Sequence, residues 1–382
     1  MWSLIYLMVL GFLFVLYASA ILMYRYWFVK LKQFVVPSNF TPQTSFSILI
    51  PARNEEDNIV DCLNSILNNH YPKDLYEIIV IDDHSTDNTS LLVQQLQATN
   101  SNVRLLRLAD EIDGQLLNAY KKKAIEKAIG IATKDWIITT DADCFTSKEW
   151  LQNFAAYIQE TNHVLVAAPV VFFKKPNVLS MFQYIDFLSL QGITAASVSA
   201  GFHTMCNGAN LAYQKAAFLA VDGFKDIDHI ASGDDMFLMN KIKKQFPKGL
   251  GYLFAQKATV STHPMTSWNA FLNQRIRWAS KADKLKDKSV LLVLVLVYFF
   301  NLLIFLMPVM AFFNPAFIGY CLTALLLKTI IELSFALPVG RFFGQSFVWW
   351  FPLLQPIHIA YTVVAGWLGK FGSYKWKGRS VK

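Results

Sequence analysis

The residues best equipped for chemistry in this chain are paired carboxylates and one basic-aromatic pentapeptide. Asp141 and Asp143 flank Ala142. Asp82 and Asp83 are followed by Ser85 and Asp87, and Asp234 and Asp235 follow Gly233. Crowded carboxylates raise one another's pKa unless a cation or hydrogen-bond donors compensate. A hard divalent ion is the natural compensation, and Mg2+ typically takes one or two carboxylates plus substrate phosphates. Gln274, Arg277 and Trp278 form a Q-x-x-R-W run. On a helix, positions i, i+3 and i+4 share a face. A guanidinium there suits phosphate, and an indole suits the apolar face of a sugar ring.

Each motif also has a plain structural reading. A single D-x-D is as easily a solvated turn or a cap. Asp234 and Asp235 are also what a helix N-terminus favours, because carboxylates complement the dipole. Lys121 and Lys122 belong to a Lys-rich run of the kind that is usually a solvated helix face. The sequence has no H-E-x-x-H or Cys/His cluster for zinc, and no P-loop or G-x-G-x-x-G fingerprint.

Strand and helix patterns alternate around these residues. Phe46–Pro51 is a short apolar run of the kind that forms a buried parallel strand. Asn54 is placed to cap the helix that follows it, whose apolar positions are Ile59, Cys62, Leu63, Ile66 and Leu67. Glu77–Asp82, Val103–Leu108 and Trp136–Thr140 read as further strands. The segments around Leu91–Leu96 and Lys121–Ile131 read as helices. Thr146 and Glu149 have the spacing of a capping box before Trp150–Ile158. This order predicts a mostly parallel sheet with right-handed crossovers, and such sheets bind ligands beyond the carboxyl ends of their strands. Those ends carry Pro51, Ala52, Arg53, Asn54 and Glu55, then Asp82 and Asp83, then Asp141 and Asp143. At a strand end, beside two other polar strand ends, the D-x-D favours the metal reading.

The chain of 382 residues is 54% hydrophobic, too apolar for a soluble protein and too polar for a bare membrane bundle. Trp2–Trp27 is apolar apart from Arg25, and roughly 20 such residues cross a bilayer. A cleaved signal peptide is disfavoured, because no charged leader or small-residue cleavage pattern is present. Three further apolar segments are expected at Ser289–Phe313, Pro315–Leu337 and Phe347–Leu368, the last interrupted by Pro352 and Pro356. The expected organisation is an N-terminal anchor at 1–29, a cytoplasmic catalytic domain at 30–288, membrane segments at 289–369 and a basic tail at 370–382. The net charge is +8, and much of the excess flanks the apolar segments. The positive-inside rule therefore puts the polar domain on the cytoplasmic side of the cell (inner) membrane of a multi-pass protein. Four crossings would leave the basic tail outside. A re-entrant or interfacial last segment would return it, and the sequence leaves that choice open. Cys62, Cys144, Cys206 and Cys321 are widely spaced and are expected to be reduced thiols. Val178–Gly201 is apolar but broken by Gln183, Asp186 and Gln191, and reads as a buried core helix or an interfacial one. Lys328 and Glu332 stand one turn apart inside an expected span, either as a functional pair or as a pair that neutralises itself.

Taken in order, these motifs resemble the membrane-anchored GT-A glycosyltransferases of family 2. The residues that carry the resemblance are Ile50 to Glu55, Asp82-Asp83-x-Ser85-x-Asp87, Asp141-x-Asp143, Asp234-Asp235 and Gln274-x-x-Arg277-Trp278, spread over about residues 45–280. Two departures are visible. Tyr120-Lys121-Lys122 stands where the family often has Gly-Lys-Lys, and Asp234-Asp235 stands where it has Glu-Asp. The resemblance implies an α/β fold with a Rossmann-like, mostly parallel sheet. It also implies transfer of a hexose-like sugar from a nucleotide-sugar, with a UDP-sugar expected, and a divalent metal (Mg2+ or Mn2+). By the same resemblance, Pro51, Ala52, Arg53, Asn54, Glu55 and one of Asp82 or Asp83 hold the nucleotide, with Lys121 and Lys122 as further contacts. Asp141 and Asp143 serve the ribose and the metal–diphosphate. Asp235 is the general base beside Asp234. Gln274, Arg277 and Trp278 line the acceptor side and the diphosphate. The expected partners are the donor, the membrane and a lipid or lipid-linked acceptor, with no nucleic acid. Two alternatives remain beside this reading: a processive polysaccharide synthase of the same fold, and an inactive membrane scaffold. Intact Asp143, Asp235 and Arg277 argue against the scaffold.

Overall fold

Runs of β-branched and aliphatic residues become strands buried on both faces. The computed structural model describes residues 1–111, 119–230, 232–284, 287–345, 349–372, 374–376 and 379–381. Phe347, where the last apolar segment is expected to begin, lies outside the described residues, as do Lys286, Lys377 and Lys382 of the expected basic flanks. The described chain forms two compact units.

The first unit comprises Lys32–Phe173 and Thr204–His263. Its strands are β1 (Phe46–Ala52), β2 (Tyr76–Asp82), β3 (Val103–Arg107), β4 (Trp136–Thr139), β5 (Cys144–Phe145), β6 (Leu165–Ala167), β7 (Val170–Phe172), β8 (Leu211–Gln214), β9 (Leu250–Tyr252) and β10 (Val260–Thr262). Seven of them form one sheet in the order β3-β2-β1-β4-β8-β6-β9, and β5, β10 and β7 form a smaller one. Strands β1 to β4 run parallel, with the helices Ile59–Leu67, Thr89–Thr99 and Tyr120–Ile131 between them, as expected. The register pairs Ala52 with Asp82 and Leu49 with Thr139, so β1, β2 and β4 end on one edge. Beyond β4 the sheet is mixed, because β8 lies antiparallel to both β4 and β6.

Two local expectations do not hold. Asn54 does not cap a helix. It takes a left-handed conformation (φ 52°), and its side-chain oxygen accepts a hydrogen bond from the Thr86 amide at 2.8 Å. The helix after it begins later, behind Asn58. Thr146 and Glu149 form no capping box either. Glu149 is itself the N-cap without a side-chain bond, and the Thr146 hydroxyl donates to the Ser65 carbonyl at 3.2 Å. In both cases a partner distant in sequence outcompetes the local one, which spacing along the chain does not encode.

A fully buried Asn210 ties three other segments of this unit together. Its amide nitrogen donates to the carbonyls of Pro169 (2.7 Å) and Ala258 (2.8 Å), and its oxygen accepts from Trp150 Nε1 (3.0 Å).

The second unit comprises Met1–Leu31, Lys174–His203 and Pro264–Lys382. Residues 174–203 and 264–288 fold with the long apolar helices, because their own apolar faces are buried there. Four helices are long and apolar enough to cross a membrane: Trp2–Lys30, Lys288–Met310, Ala316–Phe342 and Trp350–Phe371. Pro352 falls in the first turn of the last helix, where amides have no intrahelical partner to lose, so the helix is continuous, with Pro356 inside it. Val178–Ser199 is a mostly buried helix in this unit, as the core reading expects. At Gly192 an added Cβ would stand 2.4 Å from Val339 Cγ2, so this helix and Ala316–Phe342 approach too closely for any side chain.

The buried Lys328 of this unit is paired with Glu332. The Lys328 ammonium donates to Glu332 Oε1 at 2.6 Å and to Gln355 Oε1 at 2.7 Å, and Tyr17 and Gln355 both donate to the Glu332 carboxylate. Glu332→Leu alone would strand a buried ammonium and should destabilise by about 3–5 kcal/mol, whereas Lys328→Met with Glu332→Leu should recover part of that. Asn210→Ala should cost about 2–4 kcal/mol, because it leaves an indole N–H and two carbonyls unsatisfied. Thermal unfolding of the purified protein in detergent checks both expectations.

Candidate active site

The loops beyond β1 and β2 interlock. Arg53 Nη1 donates to the Asp83 carbonyl at 2.8 Å and stands 3.9 Å from Asp83 Oδ1, while His84 Nδ1 lies 2.9 Å from that same oxygen. Asp82 holds its own loop, with Oδ1 accepting from the Ser85 amide (2.9 Å) and Oδ2 from the Ser90 hydroxyl (2.5 Å). The amides of Asn54 and Glu55 donate to the hydroxyls of Ser85 (3.0 Å) and Thr89 (2.8 Å). Asn54 and His84 both have positive φ, at 52° and 58°. Such conformations in non-glycine residues persist only where their surroundings over-determine them. The edge His84–Tyr120 contact, at 5.6 Å between centroids, ties this loop to the helix that carries Lys121.

The D-x-D follows β4 in a tight turn, with the Cys144 amide donating to the Asp141 carbonyl at 3.1 Å. Asp141, Asp143 and Cys144 offer ligand atoms within 4.8 Å of one another. Asp143 Oδ2 accepts a hydrogen bond from the Thr262 hydroxyl at 3.1 Å. Burial pushes the Asp143 pKa up to about 6, and the carboxylates of Asp141 and Glu55 add to the rise. Burial, with the carboxylates of Asp143 and Asp141, raises the Cys144 thiol well above its usual value, and sulfur is a soft donor that Mg2+ and Mn2+ do not favour. What remains is a pair of hard carboxylates, a donor set that fits Mg2+ or Mn2+.

Lys121 is the cation present. Its ammonium bonds Asp141 Oδ1 at 2.7 Å and stands 3.7 Å from Asp234 Oδ2. Burial lowers its pKa, but the carboxylates of Asp141, Asp234 and Asp235 outweigh that and leave it raised. Lys122, expected beside it, is elsewhere. It is buried, and its ammonium donates to the carbonyls of Ile227, Ile230 and Ser232, holding the loop that leads to Gly233. Gly233 (φ 77°) is the N-cap of the helix Asp234–Gln245. Asp235 accepts from the Gly208 amide (3.0 Å) on Oδ2 and from the Met236 amide (2.7 Å) on Oδ1. Each oxygen keeps lone-pair capacity for a further partner. The polar turn Cys206–Asn210 thus meets the Asp234-Asp235 motif.

Gln274, Arg277 and Trp278 are half-buried on the helix Trp268–Ala279 of the other unit, as their spacing predicts. Ser267 caps this helix by accepting from the Ala270 amide at 3.2 Å. The Trp278 indole lies under the Arg275 guanidinium, 4.2 Å from its carbon, and 6.1 Å from the Phe187 ring.

The family description "Glycosyl transferase family 2" matches residues 47–218, and "Glycosyl transferase family group 2" matches residues 136–368, more than half of the chain. The chain belongs to the family 2 glycosyltransferases. It is an enzyme of that class, and its sheet is that of the GT-A fold. The mannosyltransferase PcManGT from Pyrobaculum calidifontis, solved with GDP-Man and Mn2+, shares this fold at a TM-score of 0.57 and 18% identity, over 94% of this chain and 98% of that one. Among curated relatives, glycosyltransferase AglE of Haloferax volcanii is 27% identical over 60% of this chain and 70% of its own. The poly-beta-1,6-N-acetyl-D-glucosamine synthase of Staphylococcus epidermidis is 25% identical over 66% and 59%. A Methanococcus voltae glucuronosyltransferase named for a dolichyl N-acetyl-alpha-D-glucosaminyl phosphate acceptor is 32% identical over 28% and 32%. The chain thus spans less than two thirds of the length of the last two.

In this glycosyltransferase, two residues outside the expected site set hold its aspartates. Thr262, from β10, holds Asp143, and Gly208 holds Asp235. Thr262 carries no sequence signal, and Gly208 carries only that of a small polar turn, because each contributes through a fold-dependent approach. Asp143 yields a pH test. The folded protein keeps a proton here up to about pH 6, while an unfolded aspartate loses it near pH 4. The folded state therefore binds more protons in that window, and stability falls as pH rises through it. Thermal midpoints of the metal-free protein should drop from pH 4.5 to 6.5 by the equivalent of about 2 kcal/mol. Asp143→Asn should flatten the slope, and Mn2+ should restore the midpoint at pH 7.

Proposed function

We propose that this enzyme transfers one sugar, with inversion, from a nucleotide-sugar to a lipid or lipid-linked acceptor. The observation that carries the reading is the placing of Asp141 and Asp143 together beyond the carboxyl end of β4, where burial and the neighbouring carboxylates raise the Asp143 pKa. A nucleoside diphosphate bound with a divalent cation would relieve their mutual repulsion. Asp143 and Asp141 would hold that cation, which supplies Lewis-acid stabilisation of the departing diphosphate. The Mn2+ and GDP-Man named for PcManGT, a neighbour in fold, support a metal and a nucleotide-sugar.

The chain's own residues then divide the work. Pro51, Ala52, Arg53, Asn54, Glu55 and the Asp82–Asp83 pair form the nucleotide cradle, rigid because its loops bond each other. Asp141 orients the ribose, and Lys121 balances Asp141 and Asp234. Asp235 is the general base. It removes the proton of the acceptor hydroxyl as that oxygen attacks the anomeric carbon and the diphosphate leaves. One displacement with one base inverts that carbon, and no carboxylate nucleophile is required. Arg277 stabilises the diphosphate, and Gln274 and Trp278 serve the acceptor. The four long apolar helices and the dolichyl-linked acceptor in the name of one relative support an acceptor drawn from the bilayer of the cell membrane, with the sheet unit cytoplasmic. A second reading, repeated addition to a growing polysaccharide, is favoured by the synthase among the relatives.

The deciding measurement incubates the full-length protein in lipid nanodiscs with labelled nucleotide-sugars and membrane lipid extract, then separates organic-phase from polymeric product. A single-sugar lipid product is expected, whereas a polymer ladder would establish the synthase reading. Asp235→Asn should lower kcat about 10²–10⁴-fold with the fold intact. EDTA should abolish transfer, and persistence of activity in EDTA would remove the metal role of Asp143.

A further inference from the structure

Arg275 lies inside the Q-x-x-R-W run but is not one of its defining residues, and it is the most deeply placed charge on that helix, at 4% exposed. A buried guanidinium needs a partner and finds Asp186 of the helix Val178–Ser199, with Nη2 to Oδ2 at 2.6 Å. The other Asp186 oxygen accepts from the Tyr361 hydroxyl at 2.6 Å, and His358 Nε2 stands 3.9 Å from it. Tyr361 and His358 belong to the helix Trp350–Phe371, and His358 Nδ1 stands 3.4 Å from the Lys328 ammonium. The Arg275 Nε and Nη1 groups have no hydrogen-bond partner. Instead the guanidinium carbon lies 4.9 Å from the Phe271 ring and 4.2 Å from the Trp278 ring. Positions 271, 275 and 278 are four and three apart, so the helix stacks them on one stripe.

We propose that Arg275 is a positioning residue: clamped by Asp186 and Tyr361, it fixes the Trp278 indole in the orientation that receives the acceptor. The proposal rests on the reading that Trp278 serves the acceptor. An indole fixed in advance by a buried ion pair loses less freedom when the acceptor binds. Lysine cannot substitute, because it lacks the planar face that stacks on the ring.

The test uses the full-length protein in nanodiscs, labelled with 5-fluorotryptophan, with Trp278→Phe assigning the Trp278 fluorine resonance. Arg275→Lys, Asp186→Asn and Tyr361→Phe should each shift that resonance and leave most of the others in place. Each should also raise the acceptor KM, roughly tenfold for the first two, while the donor KM stays within about twofold. Asp186→Glu should return both readouts towards the parent values. Tyr361→Phe removes a single hydrogen bond and keeps the test available if Asp186→Asn does not fold. An unmoved Trp278 resonance in folded Arg275→Lys and Tyr361→Phe proteins overturns the proposal. So does a shifted resonance with unchanged acceptor KM when Trp278→Ala itself raises that KM. If Trp278→Ala leaves the acceptor KM unchanged, the acceptor reading of Trp278 fails instead, and the clamp is judged on the resonance alone.

Discussion

Negative charge gathered at one edge of a parallel sheet is the constraint from which the catalytic unit follows. Parallel pairing in register brings the ends of β1, β2 and β4 together, and the chain places aspartates at two of those ends. Left alone they would repel. Lys121 offsets part of the charge by bonding Asp141 and approaching Asp234. Thr262 and Gly208 supply donors to Asp143 and Asp235. Asp143 nonetheless keeps a raised pKa, so the site is built with a remaining demand for positive charge. The metal–diphosphate of the proposed reaction would meet that demand.

The unit of long helices solves the opposite problem. Its surroundings are apolar, and its charges persist only as mutual partners. Asp186 with Arg275, and Lys328 with Glu332, are each completed by neutral donors or acceptors from further helices: Tyr361, Gln355 and Tyr17. Networks of this kind favour the helix packing that completes them, although Arg275 Nε and Nη1 have no acceptor and the guanidinium rests on aromatic rings instead. The close approach at Gly192 makes the same selection sterically.

Much of this was legible before any coordinates. Strands β1 to β4 announce themselves as short buried apolar runs, and the helix of Gln274, Arg277 and Trp278 announces itself by spacing. Interactions decided across loops were not legible. Asn54 has the composition of a cap, yet it accepts from Thr86, thirty-two residues away in sequence. Lys122 has the look of a nucleotide contact or a solvated lysine, yet three carbonyls of a distant loop bury its ammonium. Pro352 and Pro356 read as an interruption, but the first falls in a helical turn where its missing amide proton costs nothing.

By itself, the sequence determined the residue types and their order along the chain: which carboxylates end strands, which face carries Gln274, Arg277 and Trp278, and which segments are apolar enough to cross a membrane. Local periodicity and strand-end composition are properties of neighbours in sequence, and they survive without a fold. The tertiary structure alone decided which of those groups are neutralised and by whom. It also turned β8 antiparallel and gathered residues 174–203 and 264–288 with the long apolar helices. Those outcomes depend on burial and on contacts between distant segments, where an unpaired charge or amide costs several times what any local preference can return.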